Sequence, residues 1–157
     1  MSPSLSPPAA PSFLASEAAF AEFVERFERG TWPKAHWTHS AHLAVACWYL
    51  MSLPKAQAIS RVRDGIRSYN QAVGTANTPD SGYHETLTLF WMETIGRALG
   101  GPARSGSVLE AARQVVVQFG SRSDLFRDFY TFDIVKSREA RAEWVPPDAR
   151  KNPWEQE

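Results

Sequence analysis

The chain reads as an all-α protein, a single-domain bundle of five or six helices. Three observations predict this. Apolar residues recur at intervals of three and four in successive segments, no segment alternates at period two, and Gly, Pro and Ser punctuate the stretches between. A length of 157 residues suits one core rather than two. No internal repeat and no Gly-rich phosphate-binding fingerprint breaks the pattern.

The first 15 residues, rich in Pro and Ser, are expected to be a disordered tail. They have neither the early basic residues nor the continuous apolar run of a secretory signal or membrane anchor. From Ser16 to Gly30 a first amphipathic helix carries Phe20, Phe23, Val24 and Phe27 on one stripe. "TWPKAHW" then connects to a second helix, expected to be capped by Thr38 and to run to Met51 or Ser52. From Leu43 to Met51 that helix has no charged side chain, so it belongs in the middle of the bundle.

Pro54 suits the first turn of a third helix, striped by Ile59, Val62, Ile66, Tyr69 and Val73. Its arginines Arg61, Arg63 and Arg67 fall mostly off the stripe, as on a solvated face. "GTANTPDSG" is a loop by composition, and a fourth helix is expected from Tyr83 to Leu99, ended by Gly100, Gly101 and Pro102. His84, Leu87, Trp91, Ile95 and Ala98 form its stripe. A fifth helix follows Ser107, with Val108, Ala112, Val115, Val116 and Phe119 apolar, and stops at Gly120. One or two short helices follow, the last near 137–144. The helical domain thus spans 16–145, and 146–157 reads as an extended tail.

Seventeen basic residues balance seventeen acidic ones, so no global field favours nucleic acid or an anionic membrane as a partner. No run approaches the roughly 20 apolar residues of a membrane span. The single cysteine, Cys47, lies in an apolar stretch, which argues against a disulfide framework and fits a reducing, cytoplasmic setting. Aromatic residues at 12% predict a large aromatic core.

The histidines carry the functional question. Three of the four, His36, His39 and His42, cluster at the mouth of the most apolar helix, and His84 opens the fourth helix. Helical residues three apart have Cβ atoms about 5–6 Å from one another, so His39 and His42 are spaced to share an ion. His84 becomes a third arm if the second and fourth helices pack with their N-termini together. His36 falls before the helix and reads as a loop or pocket residue. Glu85 diverges from His84 by about 100° around the helix, which suits a general base on bound water or a partner to a ligand rather than a ligand itself. Tyr83, Asn77 and Thr78 add polar groups beside His84, though turns favour the same residue types. Trp37, Trp48 and Trp91 would wall the site with apolar surface.

The pattern W-T-H-x-x-H-L (Trp37 to Leu43), followed by "RSYNQAVGTANTPDSGYHETLTLFW", resembles a group of small bacterial proteins of unknown function that share both histidine segments. The resemblance covers roughly 30–95, with a weaker echo in "SREARAEWVPPD", and implies no activity. By looser analogy, helical bundles of the DinB type hold a metal with three histidines at one end, using an H-x-x-x-H pair that this chain lacks.

The expectation is therefore a small protein binding a divalent metal (Zn, Fe, Mn or Ni) through His39, His42 and His84, with Glu85 as base and a small molecule as substrate. Hydrolase, lyase and oxygenase chemistry all fit such a centre. The alternative is a metal-free pocket in which the same His and Glu side chains hold a small ligand or a partner's apolar segment. A third reading makes the protein a subunit whose aromatic surface is a homodimer interface and whose histidines are incidental, with Ile134→Asp as a substitution that would disturb that surface.

Overall fold

The structure, a computed structural model, describes residues 10–100 and 106–149. Six α-helices and no named strand occur among them, which is the all-α bundle expected. The helices are α1 Glu17–Arg29, α2 His39–Ser52, α3 Lys55–Ala72, α4 Glu85–Ala98, α5 Val108–Phe119 and α6 Arg138–Ala142. Among the described residues, no helix is long and apolar enough to cross a membrane.

Local chemistry sets most boundaries. Ser16, Thr38 and Ser107 each accept a backbone N–H from the first turn of the helix they begin, satisfying a donor that has no partner within the helix. Gly30 closes α1 at φ 73°, a left-handed geometry that costs glycine little. Helix α2 packs against α3, α4 and α5. Its residues Ala41, Leu43 to Cys47 and Tyr49 are buried, as an uncharged helix requires.

Three details depart from the sequence expectations. The domain begins before Ser16: Ser12–Leu14 form a 3₁₀ turn whose Phe13 and Leu14 are buried in the main core, Phe13 with its ring 4.5 Å from that of Phe23. Helix α4 starts at Glu85, so His84 is its cap and not part of its first turn. Ile134 is 0% exposed, inside a second core with Phe90, Phe126, Phe129, Tyr130 and Ala140. It therefore belongs to no surface available for dimerisation. The expectations for residues 1–9, for the stop at Gly101 and Pro102, and for 150–157 lie outside the described residues.

The second core explains how the C-terminal segment is held. Thr86 donates to the Glu143 carbonyl and accepts from the Val145 N–H, and the Tyr130 hydroxyl donates to the Val145 carbonyl. Arg141 donates to the carbonyls of Gly82 and Val135. Helix α4 is thus gripped on both sides, by the main bundle and by this strap.

Candidate functional site

One cavity of about 510 Å³ opens where α2, α3 and α4 meet. Helix α2 supplies His39, His42, Leu43 and Ala46 to its walls, α4 supplies Leu87, Thr88, Trp91 and Met92, and α3 with its C-cap supplies Val62, Ile66, Asn70 and Val73. The two histidine segments therefore do meet in space. His84, Tyr83 and Gly82 line the cavity from the loop before α4, and Trp37 and Lys34 from the connection before α2. Ser123 and Thr75 complete the wall.

Backbone carbonyls fix the state of each ring. A carbonyl can only accept, so the imidazole nitrogen facing it carries the proton. The Nε2–H of His39 donates to the Phe119 carbonyl at 3.1 Å, and the Nδ1–H of His42 donates to the Thr38 carbonyl at 2.8 Å. In the neutral rings, Nδ1 of His39 and Nε2 of His42 are left as acceptors, and neither has a hydrogen-bond partner among the described residues. His84 differs. Its Nε2–H donates to the Ile134 carbonyl at 2.7 Å, and its Nδ1 accepts the Leu87 N–H at 3.0 Å, so both ring nitrogens are engaged.

Burial favours the neutral form of all three rings. It lowers His39 and His84 below the ordinary histidine value, against the opposing effect of their hydrogen bonds to carbonyls. His42 keeps part of its surface open yet is densely surrounded by protein, and burial brings it down to about 4 despite the bond to Thr38. Trp37 lies over the His42 ring at 3.9 Å, and the His39 ring meets Trp91 at 4.8 Å.

Glu85 is occupied elsewhere. Arg63 donates to both its oxygens, at 2.9 and 2.7 Å, and the Tyr83 hydroxyl donates at 2.5 Å. Burial pushes this carboxyl up, but the bonds from Arg63 and Tyr83 outweigh that and hold it below its usual value. Arg63 is thus not simply a solvated cation. Glu85 does not line the cavity, so the general-base role expected of it has no geometry behind it.

His36 is exposed in the 3₁₀ turn Lys34–His36 and does not line the cavity. Asn77 and Thr78 do not line it either, because they build the preceding turn. Asn77 Oδ1 accepts from Asn70 Nδ2 and from the Tyr83 N–H, while its Nδ2 donates to the Arg67 carbonyl. Thr78 pairs with Ser81. Trp37, Tyr83 and Trp91 do stand on the wall, whereas Trp48 does not.

Among the described residues, no group of three His, Cys, Asp or Glu side chains is arranged to hold a metal ion. To bind a metal, His84 would have to give up either the cap of α4 or its bond to Ile134. This arrangement gives no support to a metal held by His39, His42 and His84.

Sequence reasoning missed Lys34, Ile66, Asn70, Thr88 and Ser123 as cavity residues. Ile66 and Val73 lay on the α3 stripe, but a stripe marks an inward face without saying whether the space before it is filled.

The turn that delivers Tyr83 and His84 depends on Gly82, at φ 79°. A Cβ there would collide with the Ala76 carbonyl oxygen and lie 2.6 Å from Asn77 Oδ1. Gly82→Ala is expected to destabilise the protein by about 2 kcal/mol, from left-handed strain plus displacement of the turn. Urea unfolding measures this; an unchanged midpoint would show that the turn is dispensable.

Comparison of the chain with protein-family models, with curated proteins and with solved structures finds no match.

Proposed function

We propose that this protein is a binding module for a small, largely apolar organic molecule held in the cavity between α2, α3 and α4. The cavity itself carries the proposal. Its volume of about 510 Å³ lies within the roughly 300–1,000 Å³ usual for small-molecule sites. Leu43, Val62, Ile66, Leu87, Trp91 and Met92 give it apolar walls. His39 and His42 stand on its wall, each with one ring nitrogen unbonded among the described residues, and so supply the small number of polar groups that specific ligand recognition needs.

Both imidazoles are held in defined tautomers by carbonyls, and burial keeps them neutral near pH 7. They offer lone pairs, so the complementary ligand presents an O–H or N–H donor on an apolar body. Trp37 and Trp91 stand in the wall and supply an intrinsic optical signal.

The test is a fragment screen read by thermal shift and tryptophan fluorescence, on wild type and on Ile66→Trp. A ligand that binds only the folded state raises stability by mass action, about 2.7 kcal/mol at a hundred times its Kd. Wild type is expected to respond to aromatic fragments bearing a donor. Ile66→Trp, which places an indole in the cavity, should remain folded and lose the response. An identical response in the filled variant would put binding somewhere else. A near-stoichiometric metal retained by wild type and lost in His39→Ala and His84→Ala, each still folded, would instead restore the metal centre.

A further inference from the structure

Resting on the cavity as a ligand site, we infer that its ligand is a weak organic acid: an apolar or aromatic body carrying a single carboxylic acid group. The charges around the cavity point this way. Lys34 lines it, no Asp or Glu does, and Lys34 has no ion-pair partner among the described residues. Three acids adjoin lining residues in sequence: Glu85 is held by Arg63 and Tyr83, Glu93 by Lys55 and Arg97, and Asp124, beside Ser123, is exposed and does not line the cavity. Asp80, at the adjoining turn, is paired through both oxygens with Arg138.

A cationic ligand would find no counter-charge in this wall and would meet Lys34, so its desolvation would go uncompensated. An anion finds Lys34 instead. The histidines favour an acid for a second reason. An acid that brings its proton shares it with His39 or His42, both on the cavity wall, as a carboxylate beside an imidazolium, so that binding at neutral pH takes up one proton from solution. Helices α2 and α4 also begin at this cavity, and the positive ends of their dipoles add to the same preference. The apolar walls exclude a bare inorganic anion as the intended occupant, because they would strip its hydration without replacing it.

Three probes of one shape test the inference on the full chain: naphthalene-2-carboxylate, 2-naphthylmethanol and 2-naphthylmethylamine, with inorganic phosphate as a fourth. Titration followed by tryptophan fluorescence and calorimetry gives the affinities. The carboxylate is expected to bind roughly tenfold more tightly than the amine, a difference of about 1.4 kcal/mol. Lys34→Gln should bring the two close together, and Lys34→Arg should keep them apart; Lys34 is exposed, so neither variant endangers the fold. Equal or tighter binding of the alcohol or the amine overturns the weak-acid inference and leaves the cavity as a ligand site. Phosphate binding as well as the carboxylate overturns it too. If none of the four binds, both the inference and the proposed ligand site fall.

Discussion

His84→Ala is expected to destabilise the fold by about 2 kcal/mol, a large loss for one polar side chain. The ring is 6% exposed and does two jobs at once. Its Nδ1 caps α4 by accepting the Leu87 N–H, and losing such a cap costs about 1 kcal/mol. Its Nε2–H donates at 2.7 Å to the carbonyl of Ile134, which also accepts the Ser137 N–H at 3.2 Å, and losing one such hydrogen bond costs about 0.5–1.5 kcal/mol. The two losses add because they fall on different backbone groups. His84→Asn keeps a capping oxygen but not the reach to Ile134, so it should recover about 1 kcal/mol of the loss. Urea unfolding of the three proteins, with amide exchange at Leu87, makes the measurement. An alanine variant within about 0.5 kcal/mol of wild type would remove this structural role and free His84 for a ligand.

Acid should weaken the protein between pH 6.5 and about 4, with His42 as a principal cause. In the unfolded chain this imidazole takes up its proton near 6.5, while the folded protein resists until about 4, because burial disfavours the charged ring. Through that window the unfolded state binds more protons, so stability falls as pH falls. The contribution is complete above 6.5 and gone below about 4. A tenfold change in proton affinity is worth about 1.4 kcal/mol, so His42 contributes about 3 kcal/mol at most. His39 and His84 are lowered in the same direction and add to the slope. His42→Phe keeps an aromatic ring against Trp37 and removes the proton site, so its stability should vary less with pH across this range. An unchanged slope, or an NMR titration of the His42 ring near 6.5, would contradict this account of the acid response.

Much of the architecture was legible along the chain because helices obey local rules. The stripe of α1, the caps at Ser16, Thr38 and Ser107, and the uncharged body of α2 each depend on residues within a few positions of one another. Such signals are complete in the order of the residues, and they were enough to place the helices, the cap at Thr38 and α2 at the centre, though not His84 as the cap of α4. The convergence of the two histidine segments was legible only as a condition, that α2 and α4 open at the same end, and tertiary packing decided it. What each histidine does was not legible. His84 is engaged by a carbonyl 50 residues away, His39 by one 80 residues away, and Glu85 by an arginine 22 residues before it. A hydrogen bond depends on distance and angle in space, and periodicity says which face a side chain occupies but not which partner it meets there. Packing in three dimensions made His84 a strut, gave Glu85 to Arg63, and left a space unfilled between α2, α3 and α4. A cavity depends on how closely packed faces approach, and no single element encodes that distance.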